Sequence, residues 1–145
     1  RSVIPAHIQF IQTFGDRHVT QESFDIYRAN ILPAFVLVEA RGLQDKLIGL
    51  SFAALINDNY TYSITVVDKA LRGQGIAKAL EIKKRNTITN IKYWTYVSQV
   101  HRNNEASVRL MKGVADEWYI SNDHYIFISK PRRTVWERLF SVTRQ

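Results

Sequence analysis

Apolar residues recur at helical spacing in the first part of the chain. Over residues 4–14 they fall on one face of a helix, and Gly15 interrupts the pattern. A second helical pattern begins at Thr20 and closes at Pro33, because proline cannot continue a helix. The sequence therefore predicts two helices before the first strand.

After residue 33 the pattern changes to runs rich in β-branched and aromatic residues, separated by short polar turns. The predicted strands are Ala34–Ala40, Lys46–Ile56 and Tyr60–Val67. Because these strands follow one another with only short turns between them, they indicate an antiparallel meander.

The second half of the chain alternates helices and strands. The predicted elements are a helix over 76–86, a strand Lys92–Val100, a helix Asn104–Val114, a hairpin of Trp118–Ile120 with Tyr125–Ser129, and an amphipathic helix Thr134–Val142. This order predicts an α/β domain over 1–130, with the helix of 131–145 packed on it. The strand, loop, helix and strand between 60 and 100 predict a right-handed crossover that joins two parallel neighbouring strands.

Length and composition fit one compact domain. The chain has 145 residues, of which 46% are apolar and 23% are charged, as in ordinary globular proteins. It contains no cysteine, which excludes disulfides, thiolate nucleophiles and cysteine metal sites. The four histidines are scattered, and none forms a His-x-x-x-His pair beside a carboxylate, so we expect no metal.

The chain is basic, with a formal net charge of +7. Such a field attracts anions, and the candidates are nucleic acid and a highly phosphorylated cofactor. A solubilising charge with no partner is the alternative. No apolar run reaches the length of a bilayer span, and the N-terminus lacks the layout of a signal peptide. We therefore expect a cytoplasmic protein with no membrane partner.

The segment Arg72–Ala77 lies between a predicted strand and a predicted helix, where backbone N–H groups lack partners and the helix dipole is positive. Gly73 and Gly75 permit backbone conformations closed to other residues and remove side chains that would block a phosphate. Arg72 adds a permanent charge with a planar set of donors. These features predict a pyrophosphate-binding loop, while a tight turn without a ligand is the alternative.

Two better-known phosphate loops do not fit this segment. A Walker A loop needs G-x-x-x-x-G-K-[ST], which the chain lacks. A Rossmann loop needs a third glycine where Lys78 stands, and an acidic residue about 20 positions later. That neighbourhood, Ile91–Tyr96, contains no acid, so a dinucleotide-binding fold is excluded.

Two segments resemble the GNAT superfamily of acetyl-CoA-dependent N-acyltransferases. Val67–Ala77 is similar to the family's loop [RQ]-x-x-G-x-[GA], whose three defining positions are filled by Arg72, Gly75 and Ala77. Val100–Leu110 is similar to V-x-x-x-N-x-x-[AS]-x-x-L, the end of the fifth strand and the helix after it. The two segments occur in the family's order and at its spacing.

The resemblance, which covers about residues 55–115, implies a GNAT-like mixed central sheet with splayed parallel fourth and fifth strands flanked by helices. It also implies that acetyl-CoA is the acyl donor, with its pantetheine arm paired to the fourth strand and its pyrophosphate held by the loop. The implied cofactor-binding residues are Val66, Val67, Arg72, Gly73, Gln74, Gly75, Ile76, Ala77, Lys78, Asn104 and Ser107.

The chain departs from the family where protons are transferred. Met111 stands where many relatives have a tyrosine that protonates the departing thiolate, and Ala115-Asp116 replaces Gly-Phe at the end of the same helix. The fourth strand begins Tyr60–Ser63 without the glutamate that serves many relatives as general base. The residues for binding coenzyme A are present, whereas those for proton transfer are not evident.

Four side chains are candidates for the missing catalytic groups. His101 follows the predicted fifth strand, and histidine is a common base in enzymes that work near neutral pH, although a solvated loop histidine is the alternative. Glu39 is a carboxylate in an apolar strand, and pairing with Arg41 is its alternative role. Tyr125 could supply an acid, as could Tyr119, with packing in the core or hairpin as the alternative.

Two charge runs, Lys83–Arg85 and Arg132-Arg133, are expected to lie on solvated faces. The first could instead meet the 3′-phosphate of coenzyme A, and the second could serve a nucleic-acid partner.

We expect an N-acetyltransferase that acts on a primary amine, as a monomer or a homodimer. Three alternatives stay open: an acetyltransferase for an RNA-borne amine such as aminoacyl-tRNA, a non-catalytic acyl-CoA-binding regulatory module, and an interaction domain.

Overall fold

The computed structural model describes residues 4–15, 34–57, 60–92 and 94–131. The predicted helix from Thr20 to Pro33 and the tail helix Thr134–Val142 lie outside these residues. The chain divides into two compact units, Arg1–Lys84 and Arg85–Gln145. Among the helices of the described ranges, none is long and apolar enough to cross a membrane.

In the first unit, the described residues form an antiparallel sheet, which one helix precedes and another follows along the chain. Its elements are α1 (Pro5–Phe14), β1 (Ala34–Arg41), β2 (Leu47–Asn57), β3 (Tyr60–Val67) and most of α2 (Ile76–Asn86). The strand order is β1-β2-β3, and both pairings are antiparallel. The predicted meander and the predicted helix over 76–86 are therefore confirmed.

Side chains alternate along β2 and β3, so the two faces of this sheet differ. One face is apolar and packs against α1 in a core made of Ile8, Phe10, Ile11, Leu50, Phe52, Ala54 and Val66. The other face carries small and polar residues. At Gly49 an added Cβ would lie 3.0 Å from Leu80 Cδ1 and 3.3 Å from Ile76 Cγ2, so glycine permits the close approach of α2.

In the part of the chain that the structure describes, the second unit contains a second antiparallel sheet with a helix after its first strand. Its elements are β4 (Tyr96–His101), α3 (Glu105–Lys112), β5 (Glu117–Ser121) and β6 (His124–Ser129), with strand order β4-β6-β5. Val100, Val108 and Phe127 form its core. The predicted hairpin is confirmed as β5 and β6, and the predicted helix at Asn104 begins one residue later.

The predicted strand Lys92–Val100 is too long at its start. After α2 the chain continues as a wide π-helical turn over Thr87–Ile91, and the N–H of Trp94 donates to the carbonyl of Ile88 at 3.1 Å. The backbone N–H groups of Lys92 and Trp94, which the prediction assigned to a strand, therefore bond to carbonyls at the end of the helix. As a result, β4 begins only at Tyr96.

The predicted mixed sheet is confirmed only in its coarser form. The fold is mixed α/β, but β3 and β4 belong to different sheets, and within the described residues each sheet contains antiparallel pairs alone. The predicted parallel neighbours at 60–100 are thus not present as a hydrogen-bonded pair in either sheet.

Candidate coenzyme-binding site

The loop after β3 is fixed at its start by Asp68. The N–H of Asp68 donates to the carbonyl of Ile48 at 2.8 Å, which continues the pairing with β2. Its carboxylate accepts from the N–H of Ala70 at 2.9 Å and caps a short 3₁₀ turn, Lys69–Leu71. The chain therefore leaves the sheet at a defined point before it enters the glycine-containing segment.

Gly73 and Gly75 both have φ of +83°, a conformation that side chains with a Cβ rarely adopt. A Cβ at either position would meet no described atom within 4 Å. Glycine is required here by the backbone angle, since the space beside it is open. The carbonyl of Gly75 then accepts from the N–H of Ala79 at 3.0 Å, which starts α2 directly behind the loop.

The start of α2 presents groups suited to an anion. The first N–H groups of a helix have no intrahelical acceptor, and the helix dipole is positive at this end. Residues 72–75 and Lys78 are exposed, while Ile76 and Ala77 are half-buried. The arrangement can hold a phosphate by backbone donors without any side chain in the way.

Arg72 is engaged elsewhere in this structure. Its Nε donates to the carbonyl of Val67 at 3.3 Å, and its Nη2 donates to the carbonyl of Phe14 at 2.7 Å. Two of the donors expected to face a pyrophosphate therefore bind backbone carbonyls of β3 and α1.

Val66 and Val67 end the strand that leads to the loop. Both side chains are buried, and the two residues are opposite Leu50 and Gly49 of β2. Since β3 is the last strand in its sheet, its outer backbone edge is not paired with another strand of the described part of this unit. Such an edge can accept an extended ligand as an additional strand.

Asn104 and Ser107 lie in the second unit, where they begin α3. The side-chain oxygen of Asn104 accepts from the N–H of Ser107 at 3.4 Å, and its N–H donates to the carbonyl of His101 at 2.9 Å. Asn104 is therefore the N-cap of α3, a role that fixes the helix start.

Several solved structures of acyltransferases are similar to this chain over most of its length. The ribosomal-protein-S18-alanine N-acetyltransferase from Escherichia coli superposes with a TM-score of 0.63 at 12% identity, over 93% of this chain and 94% of that one. A chimera of the spermidine N-acetyltransferase SpeG from Vibrio cholerae and hSSAT gives 0.58 at 18% identity, over 88% and 91%. The putative acyl-CoA N-acyltransferase from Klebsiella pneumoniae gives 0.63 at 14% identity, over 88% and 90%.

The fold is that of the GNAT acetyltransferases. No family model and no curated protein matches the chain by sequence. At identities this low the likeness establishes the fold, as the two motifs at 67–77 and 100–110 imply.

In this GNAT fold, Glu39 lies on β1, the strand of its sheet farthest from β3. Its Oε2 accepts from Arg41 Nη2 at 2.6 Å and from His7 Nε2 at 3.1 Å. His7 Nδ1 accepts from the N–H of Ile4 at 3.2 Å, so the neutral ring carries its proton on Nε2. The alternative role, pairing with Arg41, is what the structure shows.

Those contacts keep Glu39 ionised. Partial burial raises the pKa of Glu39, but the hydrogen bonds from His7 and Arg41 and the charge of Arg41 outweigh it, so the pKa lies below its ordinary value. A carboxylate with a lowered pKa is a weaker base, which counts against the catalytic role considered for this residue.

His101 ends β4 and is exposed. Its Nδ1 accepts from the N–H of Asn103 at 3.1 Å, and its ring meets that of His124 edge-on with centroids 5.1 Å apart. In the neutral form the proton therefore sits on Nε2, and the lone pair a base would use is already taken by a backbone donor.

Tyr125 is packed among aromatic rings. It stacks on Phe127 with centroids 5.9 Å apart, lies 5.5 Å from Trp118, and has the Lys112 ammonium 4.9 Å above its ring. These contacts correspond to its alternative role in packing the hairpin, whereas Tyr119 is exposed on β5.

Sequence reasoning missed the burial of two cations on α2. Lys84 and Arg85 are 1% and 2% exposed, so of the run Lys83–Arg85 only Lys83 lies on the expected solvated face. Two features of the sequence could have indicated this burial. Glu81 stands three residues before Lys84, where an ion pair can form on a helix, and the neighbouring strands contain serine and threonine residues.

Proposed function

We propose that this protein is an N-acetyltransferase that moves the acetyl group of acetyl-CoA to a primary amine. The observation that carries the proposal is the loop geometry. Gly73 and Gly75 at φ of +83° leave the N–H groups at the start of α2 open to an anion, directly after an edge strand of a GNAT fold. Two of the similar structures are named as N-acetyltransferases of spermidine and of a ribosomal-protein alanine.

In this proposal the backbone of residues 73–77 and the charge of Lys78 hold the pyrophosphate. The outer edge of β3 at Val66 and Val67 pairs with the pantetheine arm. Asn104 and Ser107 order the start of α3 within the second unit.

The acceptor amine attacks the thioester carbonyl carbon, a C–N bond forms and the C–S bond breaks. The amine must lose a proton, and coenzyme A leaves as a thiolate. Met111 cannot donate a proton, and its Sδ instead lies 3.1 Å from Arg85 Nη2. A thiolate is a tolerable leaving group near neutral pH, so the reaction can proceed without an acid at this position.

Proton removal from the amine is the harder requirement. Glu39, Tyr125 and His101 are each engaged by other groups of the protein. An ammonium with the pKa of lysine is only about one part in a thousand neutral near pH 7.4, whereas an α-amine with pKa about 8 is about one part in five neutral. We therefore propose an acceptor of low pKa, such as an α-amine, with water taking the proton.

The loop is tested by Gly75→Glu, with acetyl-CoA binding measured by calorimetry. A carboxylate at this position would stand against the pyrophosphate, so binding should be lost while circular dichroism shows a folded chain. Gly75→Ala separates backbone strain from charge. Gln44→Glu adds the same charge on the exposed β1–β2 turn and should bind like the parent. A folded Gly75→Glu variant with parental affinity would show that the loop is not the site.

A non-catalytic module that binds acyl-CoA is the second candidate function. The observation that favours it is the engagement of Met111 by Arg85 at the position where relatives place their acid. Turnover with a panel of amines of different pKa distinguishes the two. Micromolar acetyl-CoA binding with no acetylated product from any amine would favour the module.

A further inference from the structure

Arg72 connects the loop to a distant part of the first unit. Its Nη2 donates to the carbonyl of Phe14, 58 residues earlier, while Nε donates to the carbonyl of Val67. One guanidinium thus binds the last residue of α1 and the last residue of β3.

The end of α1 is a favourable acceptor for this charge. The last carbonyls of a helix have no intrahelical N–H partner, and the helix dipole is negative there. α1 ends at Phe14, because Gly15 has an extended backbone (φ −66°, ψ 146°), and the N–H of Gly15 makes the last helical bond, to the carbonyl of Ile11 at 2.6 Å. The exposed Phe14 carbonyl therefore receives a charged donor where the helix needs one, and the planar guanidinium still reaches Val67.

The same helix is already docked on the strand that leads to the loop. Its buried residues Ile8 and Ile11 share a core with Val66. The packing joins α1 to β3 near Val66, and Arg72 joins the end of α1 to the loop itself.

We propose that Arg72 is a positioning residue, which clamps the loop to the last turn of α1 so that coenzyme binding and docking of that turn are linked. The inference rests on the proposed function for the identity of the ligand. Ligand bound to the backbone of the loop holds Arg72 in place, and Arg72 in turn holds the Phe14 carbonyl. By linkage, a docked α1 favours the loop conformation that binds ligand.

The direct alternative is that Arg72 turns to the pyrophosphate when coenzyme binds. Phe14 would then lose its charged donor, and the last turn of α1 would become less protected. The two hypotheses therefore predict changes of opposite sign at the same amides.

The test is amide hydrogen exchange at residues 13–15, with and without saturating acetyl-CoA, in the parent, Arg72→Lys, Arg72→Ala and Lys69→Ala. Lys69 is an exposed cation of the same loop, so its replacement removes one charge without touching the clamp. Arg72→Lys keeps the charge but cannot reach both carbonyls.

In the parent, acetyl-CoA should increase protection at these amides. Without ligand, both Arg72 variants should lose about tenfold in protection, as expected for a hydrogen bond to a charged group, and Lys69→Ala should not. In both Arg72 variants the ligand-induced increase should vanish even when acetyl-CoA saturates the site.

A ligand-induced decrease in the parent, or ligand-free protection in Arg72→Lys equal to that of the parent, would overturn the clamp. If the parent fails to bind acetyl-CoA, the proposed function fails, while the ligand-free comparison of the variants still decides whether Arg72 holds α1.

Discussion

Lys84 and Arg85 are consecutive residues of α2, and both are almost fully buried, but their surroundings differ. In the first unit, Lys84 Nζ lies 2.8 Å from Glu81 Oε1 and 2.8 Å from Ser63 Oγ. In the second unit, Arg85 donates to Ser129 Oγ and Ser98 Oγ, each at 2.7 Å, and its guanidinium lies 4.8 Å from the centroid of the Tyr96 ring.

The difference shows two ways to bury a cation. Lys84 has an opposite charge one helical turn away on its own helix, which neutralises it locally. The contacts of Arg85 include the hydroxyls of Ser98 and Ser129 and the sulfur of Met111, which all come from later segments of the chain. The ammonium is a compact charge, whereas the guanidinium has donors in a fixed plane that match two hydroxyls at once. An ion pair is part of the surroundings of Lys84, and a planar match to two hydroxyls is part of the surroundings of Arg85.

The strongest test of this comparison is Lys84→Met, which leaves the Glu81 carboxylate buried without its ammonium. We expect a loss of about 3–5 kcal/mol in the free energy of unfolding, measured with urea, because breaking a buried pair leaves an uncompensated charge. The double variant Glu81→Gln/Lys84→Met should recover most of that loss. Lys83→Met, at the exposed neighbour, should cost no more than about 1 kcal/mol. Equal effects at positions 83 and 84 would contradict the burial of Lys84.

The intermediate effect is expected for Arg85→Lys, which keeps the charge and removes the planar donors. Since an ammonium at this position cannot bind both serine hydroxyls at once, we expect the free energy of unfolding to fall by about 1.5–3 kcal/mol. Arg109→Lys, on the exposed face of α3, provides the matched control and should change stability little. Should the two variants unfold at the same urea concentration, geometry would not be what holds Arg85.

The smallest effect is expected at Glu39, where an ion pair is only partly buried. The lowered pKa of Glu39 means that its contribution is present above the ordinary value of 4.5 and is lost as pH falls through the lower folded value. Glu39→Gln should reduce stability by no more than about 1 kcal/mol at pH 7. It should also flatten the decline of melting temperature below pH 4.5. A decline as steep as in the parent would assign the acid sensitivity to other carboxyl groups.

Most of the secondary structure could be predicted from sequence because its causes are local. The meander follows from β-rich runs with short turns, and the hairpin of β5 and β6 from the turn at 121–123. The positions Gly73 and Gly75, whose φ is +83°, could be singled out from sequence because only glycine adopts such angles readily. The start of β4 was misplaced, since the residues before it have strand propensity but their backbone groups serve the end of a helix.

The partners of the charged side chains were decided by the tertiary structure. The sequence determined that the basic side chains Arg72, Lys84 and Arg85 lie on and beside one helix. Whether each faces a ligand, solvent or the interior depends on which acceptors distant segments bring within about 3 Å. The carbonyl of Phe14 does so for Arg72 and the hydroxyl of Ser129 for Arg85. A buried charge is stable only where such acceptors converge, and that convergence is a property of the fold.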